Sequence, residues 1–292
     1  MVVLITGSNK GIGLAIAELF ARSGYNSDII ITSRNLENGN KTLKTLQEKY
    51  PNSKFALHQL DINDQQSRSE IINWAKSKYG KINVLLNNAG FAYKFTDTHI
   101  PAYKRAVDTL SINYYATKDF TNEIAEIVSE RIVTVASFVS GMAFNGSSEE
   151  VKSLCRSSMT EDDVNKMADD FIELTKTETQ NPKYTASSYM MSKLLIRKIT
   201  EVQAMKWPHL KVLSGDPGYC KSDMAGWEEP PKTAEEGADN FWWMATSDDE
   251  DLLKSSGRFY FNFREQVDWD GEYDFSKFMS FKVPEGKAIG QH

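Results

Sequence analysis

The sequence predicts an α/β fold: one doubly wound domain over residues 1–292, built on a seven-stranded parallel sheet. Three observations predict it. Short β-rich apolar runs alternate with longer amphipathic stretches along most of the chain. Such alternation demands right-handed crossovers and a parallel sheet with helices on both sides. The first apolar run leads directly into a glycine-rich turn, "ITGSNKGIG", and then into a helical pattern.

The candidate strands are Val2–Thr6, Asp28–Ser33, Lys54–Leu60, Ile82–Asn87, Arg131–Ala136, Leu210–Ser214 and Arg258–Asn262. Each is a short β-rich run of four to eight residues; most are rich in Val, Ile and Leu, while Arg258–Asn262 is aromatic. The first helix is expected over Ile12–Arg22, where Ile12, Ala15, Ile16, Leu19 and Phe20 share one side. Gly24 follows it in the position where helices commonly end. The rhythm breaks between the fifth strand and the helix near Ser188. Residues 141–186 contain no clear strand but show helical apolar spacing at Val164, Met167, Phe171 and Leu174. Thr160 followed three residues later by Asp163 has the form of a capping box. This segment is expected to be a helical insertion. The tail from 270 to 292 follows neither period, and its last residues are expected to be loosely held.

Bulk properties narrow the function. The chain is 40% apolar and 25% charged, ordinary for a globular protein, with a net charge of −6. An acidic balance disfavours nucleic acid as a partner. No apolar run reaches the ~18 residues needed to span a membrane, and "MVVLITG" does not read as a signal peptide. Two cysteines, Cys155 and Cys220, and four scattered histidines make neither a disulfide framework nor a metal site. A cytoplasmic location follows as the default.

Gly7, Gly11 and Gly13 suit a tight turn that brings backbone close to a pyrophosphate at the N-terminus of a helix. Tyr189 and Lys193 are four residues apart in a helical pattern and so share a side. A free tyrosine, with a pKa near ~10, is a poor acid at neutral pH. A nearby ammonium favours the phenolate and would lower that value, making the pair a proton donor to an oxygen on a reacting carbon. Ser137 ends the fifth strand, where ligand crevices of such sheets lie. With no histidine placed to activate it, hydrogen bonding to a carbonyl suits it better than nucleophilic attack.

In order along the chain stand Thr6-Gly7-x₃-Gly11-x-Gly13, "NNAG" at 87–90, Asn113, Ser137, Tyr189-x₃-Lys193 and Pro217-Gly218. This set resembles the short-chain dehydrogenase/reductase family over residues 1 to about 226. "TGSNKGIG", "PGYCKSDMAG", "PPKTAEEGA" and the 51 residues from 138 to 188 look most like its monomeric NADPH-dependent carbonyl reductases. Plant menthone and salutaridine reductases share an insertion of this kind.

The resemblance implies a Rossmann-type fold, a monomer, and hydride transfer between NADP(H) and a small-molecule carbonyl compound, with Tyr189 as general acid. It assigns Lys193 to the tyrosine and the nicotinamide ribose, Ser137 to the carbonyl, and Asn113 to a water relay. Gly7, Asn9, Lys10, Gly11, Ile12, Gly13, Arg34, Asp61, Ile62, Asn88, Pro217 and Gly218, with Tyr189 and Lys193, would bind cofactor. Val139, Tyr219 and Met224, with Ser137 and Tyr189, would line the substrate pocket. Ala136 stands where many members have a second serine, and "GYC" replaces a tryptophan-containing version after Pro217-Gly218.

Arg34 lies at the end of the second strand, where an NAD-binding chain carries an acid. An arginine can pair with the 2′-phosphate of NADP, and Lys10 can approach the same phosphate. Two charge-assisted hydrogen bonds would favour NADP by roughly a hundredfold. The sequence thus predicts an NADPH-dependent reductase of ketones, aldehydes or quinones. Alternatives are a dedicated reductase of one terpenoid, steroid or alkaloid ketone, and a non-catalytic NADP-sensing protein.

Overall fold

The computed structural model describes residues 1–94, 96–177, 182–185, 187–225, 228, 230–261, 264–271, 273 and 289–290. All the expected strands form: β1 Val2–Ile5, β2 Asp28–Ser33, β3 Lys54–Gln59, β4 Ile82–Asn87, β5 Val128–Val135, β6 Lys211–Gly215 and β7 Phe259–Phe261. The sheet order is β3-β2-β1-β4-β5-β6-β7-β8. The count of seven needs correction. An eighth strand, β8 Glu265–Gln266, pairs antiparallel with β7. At two residues with both side chains exposed, it carries no apolar signal to read. All other pairings are parallel.

Side-chain alternation builds the two layers. Val3, Ile5, Ile29, Ile31, Val84, Leu86, Val133 and Leu213 point to one side of the sheet. There they meet α1 (Gly11–Arg22) and α10 (Ala234–Thr246) through Ile16, Phe20, Phe241 and Trp242. Leu4, Ile30, Leu85, Ile132 and Val212 point the other way. They pack on α3 (Gln65–Tyr79) and α5 (Thr117–Ile124) through Ile71, Phe120 and Ile124. α2 (Leu36–Lys49) follows β2, and α4 (Ala102–Leu110) runs through a π-helical stretch, Ser111–Ala116, into α5. The period of two in the central strands thus fills both cores at once.

The insertion is helical, as expected. After α6 (Val139–Asn145) come α7 (Glu149–Arg156) and α8 (Glu161–Leu174). The capping box at α8 is formed: Thr160 Oγ1 accepts from the Asp163 amide, and the Asp163 carboxylate accepts from the Thr160 amide at 3.0 Å. Residues 178–181 and 186 of the insertion lie outside the described set. Val164, Met167, Ala168 and Phe171 of α8 form a third core with Met191, Leu194 and Leu195 of α9 (Ser188–Lys206). Trp269, just after β8, closes the same core. A short α11 (Glu250–Lys254) completes the helices. Among the described residues, no helix is long and apolar enough to cross a membrane.

Most of the tail expected to be loosely held lies outside the described residues. Those within the set are docked. Tyr273 packs against Phe138, Ile289 packs on the α1 and α10 core, and the Gly290 amide donates to Asp239 at 2.8 Å. Phe171 is the α8 anchor, buried edge-on against Tyr184. Phe171→Ala should cost about 3–5 kcal/mol, read as a lower midpoint in denaturant unfolding.

Candidate active site

The sheet order reverses between β1 and β4, so their C-terminal ends open a crevice between diverging crossovers. One hydroxyl ties the two ends together. Thr6 Oγ1 accepts from the amides of Asn88 and Ala89, both at 2.9 Å. Asn88 Nδ2 returns bonds to the carbonyls of Thr6 and Gly7 at 2.9 and 3.0 Å. The glycine turn wraps this clamp. Gly7 and Gly11 have φ of 61° and 59°, a left-handed backbone that favours glycine. A Cβ on Gly13 would lie 2.4 Å from Asn88 Nδ2, so no larger residue fits there. Lys10 precedes α1 and provides no side-chain cap. The first-turn N–H groups are left for an anion. Asn9 and Ile12 complete the turn; the Asn9 carbonyl accepts from Thr42.

The basic residues stand where the sequence puts them, with one difference. Arg34 follows β2 and is exposed, its carbonyl accepting from Gln59. Lys10 is exposed too, but its ammonium lies 2.6 Å from Asp223, in the segment after Pro217-Gly218. An exposed pair of this kind contributes only about 0–1 kcal/mol, so a phosphate can compete with Asp223 for the lysine. At the end of β3, the Asp61 carboxylate accepts from the Asn63 amide, and the buried Ile62 offers its carbonyl to Arg68.

Ser137 lies just past β5 and is buried. Ser187 caps α9 by accepting from the Met190 amide, which sets Tyr189 and Lys193 in the first two turns. The Tyr189 phenol lies near the Ser137 hydroxyl, which favours its ionised form, and the Lys193 ammonium donates to the Val135 carbonyl at 2.8 Å. That ammonium is 5.6 Å from the centre of the Tyr189 ring. The fold therefore brings Ser137, Tyr189 and Lys193 together. Asn113 sits on the π-helical stretch with its side chain fully engaged. It accepts from the Phe91 amide at 2.7 Å and donates to the Phe91 carbonyl and to Ser192 Oγ. A relay at this position would run through its backbone, where the π-helical turn disturbs the regular pattern of carbonyl bonds.

The electrostatics depart from the sequence expectation. Burial raises the Tyr189 phenol above its ordinary range; Asp216 adds to this, and the Ser137 hydroxyl opposes it. The expected net lowering does not occur, because burial of the phenol dominates. Lys193 itself is lowered to about 8 by burial, with Asp216 pulling the other way. Asp216 is the residue sequence reading passed over. It is wholly buried, and burial raises its carboxyl to about 6. Its place before Pro217-Gly218 was the available signal.

Substrate candidates divide. Val139 opens α6 beside Ser137, and Tyr219 is half-buried beside Phe138. Met224 is 45% exposed and is not enclosed. Phe138, Phe261 and Tyr273, with Met142, form an apolar group with Tyr219 next to the serine. Tyr273 comes from the tail, where no sequence pattern pointed to a site. Pro217 is buried, and Gly218 has a φ of 79°.

Comparison with known proteins identifies the family. The family model described as short chain dehydrogenase matches residues 1–149. Carbonyl reductase 3 of Homo sapiens, an NADPH enzyme by name, is 34% identical over 84% of this chain and 90% of its own length. Human NADPH carbonyl reductase 1 is 32% identical over the same shares. Among solved structures, salutaridine reductase from Papaver somniferum has a TM-score of 0.78 at 26% identity, covering 89% of this chain and 99% of that one. Menthone neomenthol reductase from Mentha piperita, at 21% identity and a TM-score of 0.74, shares the fold. With its glycine turn, its Asn-Ser-Tyr-Lys set and these relatives, the chain belongs to the short-chain dehydrogenase/reductase family.

Proposed function

We propose that this protein is an NADP-dependent oxidoreductase that reduces a ketone, aldehyde or quinone carbonyl to the alcohol, with Tyr189 as general acid. The observation that carries the reading is the Tyr189 phenol set near Ser137 and beside a Lys193 anchored at the end of β5. The similar human enzymes are NADPH carbonyl reductases. The residues also fit the cofactor. Gly13 leaves no room for a Cβ, α1 begins without a side-chain cap, and Arg34 stands exposed after β2.

Bound NADPH supplies the hydride. Ser137 donates a hydrogen bond to the substrate oxygen and holds it within reach of the phenol. Burial keeps Tyr189 protonated, so it holds the proton that the oxygen takes as negative charge develops. Lys193 supplies positive charge next to this step and reaches the ribose hydroxyls. Arg34, joined by Lys10 once Asp223 releases it, recognises the 2′-phosphate. Asp61 and Ile62 would border the adenine. Val139 and Tyr219 give the pocket an apolar wall, with Met224 at its exposed edge. α8, packed against α4 and α9, covers a helix face that would otherwise be open, and we read the protein as a monomer.

Tyr189→Phe removes the hydroxyl that carries the transferred proton. NADPH oxidation with a model quinone should fall by roughly 10²–10⁴-fold while NADPH binding persists; retained turnover would overturn the role of Tyr189. Running the same assay over quinones, aldehydes and ketones separates a broad reductase from a dedicated one. The likeness to salutaridine reductase favours including bulky alkaloid, terpenoid and steroid ketones. NADPH bound with no carbonyl ever reduced would instead mark a sensing protein. Arg34→Asp should reverse cofactor preference, measured as the ratio of kcat/KM with NADPH to that with NADH. An unmoved ratio would make Arg34 a surface residue only. Lys193 is charged below a pKa of about 8 and neutral above it. Reductase activity should therefore decline as pH rises through about 8, checked by a kcat/KM profile.

A further inference from the structure

We infer that Asp216 is a positioning residue for the reduction: its buried carboxylate clamps the Ser137 turn to the Pro217-Gly218 turn and supplies a fixed negative charge to the Tyr189 and Lys193 pair. The inference rests on the function proposed above.

Asp216 follows β6 and has 0% exposure. One carboxylate oxygen accepts from the Phe138 amide at 2.7 Å, directly after Ser137. The other accepts from the Gly218 amide at 2.8 Å. The carboxylate thus bridges the turn that carries the substrate-polarising serine and the turn assigned to cofactor binding. The residue is itself held on both sides. Its amide donates to the Tyr260 carbonyl at 3.0 Å, and its carbonyl accepts from Asn240 Nδ2 at 3.1 Å. The bridge is rigid because its own backbone is pinned between β7 and α10.

A neutral acceptor would suffice to hold two amides. A carboxylate is a costly choice here, since a buried charge needs compensation. Its compensation comes from the site. Lys193 on α9 and Lys232 ahead of α10 are both buried and both act on it. Asp216 in turn acts on Tyr189, which shares α9 with Lys193. Around Lys232 stand Cys220, Glu236 and Asp239. The negative charge favours the protonated forms of both Tyr189 and Lys193. Those are the forms that reduction requires.

Two variants separate charge from position. Asp216→Asn keeps the size but removes the charge and turns one acceptor into a donor facing an amide. It should lower kcat/KM for a model quinone by roughly tenfold or more. It should also move the alkaline limb of the pH profile about one unit lower, because Tyr189 and Lys193 lose a charge that favours their protonated forms. Asp216→Glu keeps the charge but displaces the bridge. It should lower kcat and leave the alkaline limb in place. An Asp216→Asn enzyme whose alkaline limb does not move, or whose kcat/KM matches the parent, overturns the inference. If Asp216→Asn does not fold, Asp216→Glu carries the test alone. Lowered kcat with an unmoved limb supports the clamp, and parental kcat overturns it. An inactive Tyr189→Phe alongside an unaltered Asp216→Asn would refute only the clamp. An active Tyr189→Phe would refute the proposed function instead.

Discussion

The hydrogen bond from Lys193 to the Val135 carbonyl is the contact on which the site depends. An ammonium removed from water must be bonded or lose its charge. Lys193 is bonded to the C-terminal end of a central strand, and this fixes the rotation of α9 about its axis. With that rotation set, Tyr189, one turn earlier, can reach only the segment just past β5, where Ser137 stands. The same bond carries the chemical consequence. Lys193 sits in a dry position at the strand end, so its charge is easily lost and sensitive to neighbours such as Asp216.

The helical insertion makes that dry position possible. α9 buries residues on nearly all sides, including Lys193, Arg197 and Lys198. A helix so placed needs cover on the side away from the sheet, and α6, α8 and Trp269 provide it. The buried cations on this helix each find partners of their own. Lys198 donates to the Cys155 and Ser157 carbonyls and pairs with Glu201. Arg197 lies 4.0 Å from the Trp269 ring centre and bonds the Val267 carbonyl and Tyr273. Through these contacts the segment after β8 is bound to the catalytic helix, and Tyr273 comes to rest beside Phe138.

The parts legible in the sequence were those encoded by local spacing. Apolar runs of strand length gave the sheet, because a buried parallel strand must be apolar on both faces. The tyrosine and lysine were legible because a separation of four is one helical turn, and the capping box at Thr160 and Asp163 because it closes within three residues. Gly7 and Gly13 were legible because their demand is steric. β8 was not, since its two polar residues pair with β7 only through the backbone. Tyr273 was not, since its docking depends on Gly141 and Arg197, far away in the chain.

Electrostatics divide the same way. The sequence by itself determined the fold class, the phosphate-binding turn, and the presence of a serine, a tyrosine and a lysine suited to carbonyl chemistry. It determined these because each is written in residues close together or in a fixed helical or strand period. Only the tertiary structure decided the charges of that machinery. The Tyr189 phenol is raised rather than lowered because burial, a property of the whole packed chain, dominates. Lys10 meets Asp223 across 213 residues of sequence, and Asp216 meets Phe138 across 78. A group's depth and its distant neighbours govern its proton, and neither exists until the chain has folded.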